Sequence, residues 1–341
     1  MQRFWFYPLT WLLQMVILIR HQLFDWGWIA SKKGEIKTIV IGNLNIGGTG
    51  KTPFSLFLMD QLSTHYRLAF LSRGYGRKTN GIRKISITDH PNDVGDEPLL
   101  IKRKNKDIPC YVGERRVEAI HQIKQSEKGI DWIVLDDAFQ HRNLIPDVAI
   151  ILTRWEDLFT DDHLWPVGHL RDIKSSLKRA HAIVVTSTPN DVTHDMRNMK
   201  RKRIQCFFKG PIFFSQTIIK PIQPLFTHLP NEPIQPIGAF CGIAQPESFF
   251  KFLRRDCDIE KTKIFPDHHL FNAQDLEKLS AELVNFGGKL GSWVTTEKDA
   301  IRIQNEKQWT ELPIYYLPIE TRIHPEDQKE WNQWLNQQLA R

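Results

Sequence analysis

The stretch NLNIGGTGKTP, residues 43–53, sets Gly47, Gly48, Gly50, Lys51 and Thr52 close together directly after the apolar run Thr38-Ile39-Val40-Ile41. Small residues there let consecutive backbone N–H groups converge on phosphate oxygens, with Lys51 reaching the outer phosphates and the Thr52 hydroxyl ligating Mg²⁺. The expected cradle is Asn45, Ile46, Gly47, Gly48, Thr49, Gly50, Lys51 and Thr52. Asn45 stands where the pattern G-x-x-x-x-G-K-[ST] has its first glycine, and Gly47 and Gly48 supply the backbone freedom one turn later. Pro53 then falls in the first turn of the helix expected from Thr52, where a missing N–H costs little. Such a loop needs a carboxylate for magnesium at the end of a neighbouring strand. DWIVLDDAFQHR supplies Asp136 and Asp137 at the close of an apolar run, placed to hold the ion directly or through water. Gln140, His141 and Arg142 follow in the next loop, near the phosphates.

Three further groups have chemical potential. LSRGYGR places Arg73, Tyr75 and Arg77 on a glycine-flexed loop, where arginine can grip phosphate with two parallel hydrogen bonds. VGDEP puts Asp96 and Glu97 at an expected helix start, a position acids also occupy simply as caps. FPDHHLF sets Asp267, His268 and His269 on a loop; adjacent histidines without a third ligand suit acid/base work better than metal binding. Glu297, Lys298 and Asp299 of TTEKDAIR receive no role from the residues alone.

The elements that must position these groups alternate. Runs at 37–42, 67–71, 131–136, 147–152 and 181–186 read as strands, with helices at 52–62 and 114–125. That rhythm implies a parallel sheet covered by helices. A charged segment, Arg197 to Arg203, and a proline-rich stretch then interrupt it. A second rhythm follows: strands at 234–241, 259–265 and 292–296, helices at 245–254 and 273–286. The expected organisation is a hydrophobic helix in residues 1–30, a P-loop domain over 31–210, a proline-rich hinge over 211–236, a second α/β domain over 237–320 and a helical tail over 321–341. The fold class is α/β: a P-loop NTPase-like parallel sheet with helices on both faces, plus a second, smaller α/β domain and an N-terminal membrane-associating helix.

Residues 4–19 are rich in Trp, Phe, Leu and Ile. As a helix they reach roughly 24 Å at about 1.5 Å per residue, short of the roughly 30 Å hydrocarbon core. They suit the lipid interface rather than a span, and no cleavage site of a signal peptide follows. Four widely spaced cysteines in 341 residues argue against a disulfide framework or a thiolate zinc site. The net charge of +7 favours an acidic partner without choosing among nucleic acid, membrane and phosphorylated substrate.

Three readings fit these residues. A membrane-associated P-loop switch ATPase would need a lysine where Ile46 stands. A GTPase would need an Asn/Thr-Lys-x-Asp reader, whereas Lys298 and Asp299 are adjacent. A kinase acting on a lipid hydroxyl has a use for every group above.

Taken in order, GNLNIGGTGKTP, SRGYGR, GDEP, DDAFQHR, PVGHLRD, FPDHH and TTEKDAIR resemble the tetraacyldisaccharide 4'-kinase family of lipid A biosynthesis, from the N-terminus to about residue 302. Ala138 departs from the glycine expected after the paired aspartates. The resemblance implies two α/β/α domains with the site in their cleft, and transfer of the γ-phosphoryl of Mg-ATP to the 4'-hydroxyl of a tetraacylated glucosamine disaccharide 1-phosphate. It implies ATP and Mg²⁺ as cofactors and an acylated disaccharide lipid and a membrane surface as partners, with no nucleic acid and no obligate protein partner. It also implies a peripheral or monotopic place at the cytoplasmic face of the bacterial inner membrane. On this reading Asp96 is the general base and His268, favoured over His269, orients it from the opposite domain. Lys51 and Arg171 neutralise charge, and Thr52, Asp136 and Asp137 hold Mg²⁺. Arg73, Tyr75, Arg77, Glu97, Gln140 and His141 face the substrate.

Overall fold

A computed structural model describes residues 5–284, 291–304 and 307–340. In chain order the first half runs α1 (Tyr7–Asp25), β1 (Lys32–Lys33), β2 (Lys37–Asn43), α2 (Lys51–Ser63), β3 (Leu68–Ser72), β4 (Arg83–Lys84), α3 (Pro91–Val94), α4 (Asp96–Lys104), β5 (Cys110–Val112), α5 (Arg116–Ser126), β6 (Trp132–Asp136), β7 (Leu144–Ile145), β8 (Val148–Arg154) and β9 (Ala182–Thr186). The remainder is α6 (His194–Gln205), β10 (Ile212–Ile219), β11 (Gln223–Pro224), β12 (Ile237–Cys241), α7 (Pro246–Asp256), β13 (Ile259–Ile264), α8 (Ala273–Val284), β14 (Ser292–Thr296), α9 (Glu297–Ile303), β15 (Ile314–Leu317), β16 (Ile319–Ile323) and α10 (Gln328–Leu339). The expected continuation of α8 to Phe286 lies outside the described residues.

Among the described residues, nine strands form one sheet in the order β16-β10-β9-β8-β2-β6-β3-β5-β4. The interior pairs are parallel, and the antiparallel strands β16 and β4 close its two edges. Helices cover both faces, so β2 is buried from Thr38 to Asn43 and carries Ile39, Val40 and Ile41 in succession rather than alternating with exposed residues. Ile39 and Ile41 face Phe54 and Leu58 of α2, while Val40 faces Ala119, Ile120 and Ile123 of α5. A second sheet has the order β11-β15-β14-β12-β13, with its own cores around Phe240, Trp293 and Trp309 and around Ala239, Phe250 and Tyr315.

Part of the expected hinge over 211–236 is sheet. Ile212–Ile219 is a strand of the first sheet, Gln223–Pro224 an edge of the second, and only residues 220–222 connect them. The chain returns at Pro318 beside this connection, with Lys220 N–H donating to Pro318 O at 3.0 Å. The two crossings continue a hydrogen-bonded ribbon in which Ile219 pairs with Ile319. The expected tail over 321–341 also departs from its description. β16 joins the first sheet, and Trp331 of α10 is fully buried against Phe54 of α2 and Phe213 of β10. The charged segment Arg197 to Arg203 lies within α6, where Arg197 and Arg201 pair with Asp327.

Helix α1 extends six residues beyond the expected stretch. His21 and Phe24 are buried near its C-terminal end, while Trp11, Leu12, Met15, Val16 and Ile19 are exposed. Among the described residues no helix is long and apolar enough to cross a membrane.

Candidate active site

The loop between β2 and α2 lies at the carboxyl end of a central strand, the end at which open parallel sheets bind ligands. Gly47 and Gly50 have φ of 111° and 82°, the left-handed region that L side chains avoid. A Cβ on Gly47 or Gly48 would meet nothing within 4 Å, so this side of the loop is open to a ligand. Its other side is braced. Asn43 Nδ2 donates to Thr49 Oγ1 at 2.8 Å, and Thr186 Oγ1 donates to Thr49 O at 2.9 Å. Asn45 donates to Asp162 Oδ2 at 3.2 Å, and Ile46 N–H to His169 O at 2.6 Å. The asparagine in place of the first glycine therefore ties the cradle to the 162–170 loop.

Asp136 ends β6, beside β2, and Asp137 follows it directly. Asp136 is buried with Oδ1 unpartnered, and burial together with the Glu97 charge pushes its carboxyl up to about 7. A cation would supply the missing partner, and Asp136, Asp137 and the Thr52 hydroxyl provide the hard oxygen ligands Mg²⁺ prefers. Asp137 has a positive φ of 50°. Burial works against its charge, yet Arg171 and Lys51 hold it below the usual carboxylate range. Lys51 Nζ is 3.9 Å from Asp137 Oδ2, and Arg171 donates to both carboxylate oxygens and to Asn43 Oδ1. Gln140 Nε2 donates to Asn43 O at 2.8 Å. His141, half-buried and faced by Arg116, Arg20 and Arg73, is lowered to about 4.

The second centre lies between the sheets. Asp96 begins α4 and Arg302 ends the facing α9. His268, with φ of 57°, places Nδ1 3.3 Å from Asp96 Oδ2. Burial opposes ionisation of Asp96, but His268, Lys298 and Arg302 hold its carboxyl far below the usual range. Lys298 Nζ donates to Glu97 Oε1 at 2.9 Å and lies 3.4 Å from His268 Nε2. His269 is occupied differently, paired with Asp275 at 2.8 Å and stacked on Phe265 at 4.8 Å. The exposed Tyr75 ring lies 5.5 Å from that of His268, and Arg73 is exposed. Arg77 is not presented to a ligand in this way. Its buried side chain pairs with Glu114 and donates to Gly81 O at 2.6 Å, bracing its own loop.

Sequence reasoning missed Arg116 and Arg302. Arg116 is buried at the first turn of α5, lowered to about 10 by burial and the Arg73 charge and favoured by Asp136 and Asp137. A cation at a helix N-terminus opposes the helix dipole, and that local conflict was its visible signal. Arg302 had as its signal only the spacing of three from Asp299, to which it donates at 2.7 Å. Of the unassigned trio, Lys298 joins the Asp96 cluster, Asp299 anchors Arg302, and Glu297 pairs with Lys104 of α4 at 2.6 Å.

With this geometry in place, comparisons identify relatives. The profile of the family described as Tetraacyldisaccharide-1-P 4'-kinase matches residues 2–340. A tetraacyldisaccharide 4'-kinase of Bacteroides thetaiotaomicron is 34% identical, covering 97% of this chain and 92% of that one. Another, from Porphyromonas gingivalis, is 34% identical over 95% of this chain and 94% of its own. The crystal structure of LpxK from Aquifex aeolicus in complex with ATP superposes with a TM-score of 0.76 at 25% identity, covering 99% of this chain and 100% of that one.

Proposed function

The chain belongs to the tetraacyldisaccharide-1-P 4'-kinase family, and from that premise we propose how its own residues perform the transfer. It is an ATP-dependent kinase that phosphorylates the 4'-hydroxyl of a tetraacylated disaccharide 1-phosphate on the route to lipid A. ATP and Mg²⁺ are its cofactors.

Asp96 is the general base, and the observation that carries this is its meeting with His268 across the two sheets at 3.3 Å. A sugar hydroxyl is too weak an acid to ionise unaided near neutral pH, so a carboxylate placed to accept its proton lowers the barrier. In a loose phosphoryl-transfer transition state, catalysis is mostly positioning and charge neutralisation, so an anionic, fixed acceptor suits the step despite its low basicity. His268 orients that acceptor. The 47–50 backbone and Lys51 bind the phosphates, with Arg171 placed to leave Asp137 for them. Arg116 adds buried positive charge beside the paired aspartates. Thr52, Asp136 and Asp137 would hold Mg²⁺, which would supply neutralisation of the charge on the phosphates. Arg73, Tyr75, Glu97, Gln140 and His141 line the substrate side.

The substrate explains α1. Four acyl chains leave a bilayer at a cost of about 0.8 kcal/mol for each methylene exposed, so the enzyme must come to the surface. The exposed Trp11, Leu12, Met15 and Ile19 serve that docking at the cytoplasmic face of the inner membrane, as a peripheral or monotopic contact.

Mass spectrometry of the monophosphorylated tetraacyl disaccharide after incubation with Mg-ATP tests the assignment. The wild type should add one phosphoryl group, and Asp96→Asn should lower kcat by about 10²–10⁴ while ATP affinity stays. Activity of the variant within about tenfold of wild type would remove Asp96 as the base.

A further inference from the structure

Asp96 is held by more than His268. Its Oδ1 accepts the Glu97 N–H at 2.9 Å, while Oδ2 accepts Arg302 Nε at 2.9 Å and a second bond from Arg302 Nη2. The remaining arm of the guanidinium is fixed inside the second sheet. Nη1 donates to Gly242 O at 2.9 Å and to Asp299 Oδ1 at 2.7 Å. Asp299 is fully buried, and its Oδ2 accepts from Thr296 Oγ1 at 2.7 Å and from Gly242 N–H at 2.9 Å. A Cβ on Gly242 would lie 3.1 Å from Pro266 O and 3.3 Å from Asp299 Oδ1, so this turn is packed tightly around its glycine. Gly242 O also accepts the His268 N–H at 3.2 Å. One carbonyl therefore ties together the arginine and the histidine that approach Asp96.

We infer that Arg302 is a positioning residue for the phosphoryl transfer: a fork anchored by Asp299 and Gly242 that fixes the Asp96 carboxylate and makes docking of the second sheet a condition of catalysis. The inference rests on Asp96 being the base. Two geometric facts distinguish Arg302 from an ordinary ion pair. Its side chain is only 3% exposed, and its planar donors meet Asp96 and Asp299 simultaneously, which a lysine ammonium cannot reproduce. Arg302 Nη2 also lies 3.3 Å from His268 Nδ1, the ring nitrogen that faces Asp96 Oδ2, so the arginine and the histidine converge on one carboxylate oxygen.

Asp96 is faced from α9 by Arg302 and Lys298, with Asp299 behind the arginine. From the loop after β13 it is faced by His268, which Asp267 approaches at 3.9 Å. Glu97 is its neighbour on α4, and Tyr75 stands over the histidine. Removing Arg302 leaves Asp96 buried with less opposing charge, so its carboxylate ionises at higher pH. The acid limb of the rate profile must then move upward.

The experiment compares full-length wild type, Arg302→Gln, Arg302→Lys, Asp299→Asn and Asp96→Asn with the monophosphorylated tetraacyl disaccharide and Mg-ATP. It measures kcat and KM across pH, together with ATP binding. Arg302→Gln should lower kcat by about 10²-fold or more, leave ATP affinity within about threefold and raise the acid limb by about one pH unit or more. Arg302→Lys should recover less than about tenfold of that loss, because charge returns without the fork. Asp299→Asn, which keeps the arginine and loosens one anchor, should lower kcat by about fivefold or more and separates positioning from gross misfolding. An unmoved acid limb in Arg302→Gln, or kcat within about threefold of wild type, overturns the inference. Retained activity in Asp96→Asn overturns the base assignment instead, which keeps the two failures apart.

Discussion

Asp136→Asn is expected to stabilise the protein and abolish its hold on Mg²⁺. The Asp136 side chain closes β6 in full burial, with Oδ1 unpartnered and its carboxyl pushed up to about 7 by burial and the Glu97 charge. A value above that of the unfolded chain means the folded protein binds this proton more tightly. The destabilising contribution is therefore absent below about pH 4 and grows until pH passes the folded value. At roughly 1.4 kcal/mol per unit, a displacement of about three units costs the folded state about 4 kcal/mol at alkaline pH. Asparagine removes the charge, but its own unsatisfied amide costs about 1–3 kcal/mol. The net effect should be a gain of about 1–3 kcal/mol near pH 8 that turns into a loss of about 1–3 kcal/mol near pH 4. Urea denaturation of both proteins in a chelator, across that range, measures it. Added Mg-ATP should then stabilise the wild type and leave the variant little changed, since binding to the native state raises stability by mass action. A variant less stable than wild type at alkaline pH would refute the reasoning. The Asp136 carboxylate would then be held without an electrostatic cost.

Two further outcomes test the scaffold. Trp331→Ala removes a fully buried ring that packs edge-on to Phe213 at 5.2 Å and Phe54 at 5.8 Å and donates to Gln61 Oε1 at 2.9 Å. Urea unfolding should show a loss of about 3–5 kcal/mol, and a loss below about 1 kcal/mol would make α10 an appendage rather than part of the core supporting α2. Trp11→Glu combined with Met15→Glu alters exposed positions of α1, so stability should change by less than about 0.5 kcal/mol for each. Sedimentation with anionic phospholipid vesicles should fall by about tenfold or more, and unchanged sedimentation would place docking elsewhere.

The strands β2, β3, β6, β8 and β9 were legible because each is a short apolar run covered on both faces, bounded by polar residues or glycine. β10 was read as part of a connection because prolines crowd the stretch that follows it. β16 alternates exposed with partly buried residues and gains its place only by pairing with β10, about a hundred residues earlier. Propensity carries no information about such a partner.

The glycine-rich loop between β2 and α2 was legible in the sequence alone, because its requirements are local. A strand end, glycines at positive φ and a lysine at a helix start are contiguous in the chain, and no distant contact is needed to make them converge. The carboxylate pair after an apolar strand is local in the same sense. Only the tertiary structure decided the second centre. His268 and His269 are the same residue type one position apart, yet one turns to Asp96 and the other stacks on Phe265. Arg77 and Arg302 both bury their side chains, yet one braces its own loop while the other crosses between sheets to Asp96. Such differences arise from how two separately formed sheets dock, and docking depends on the summed packing of residues far apart in sequence.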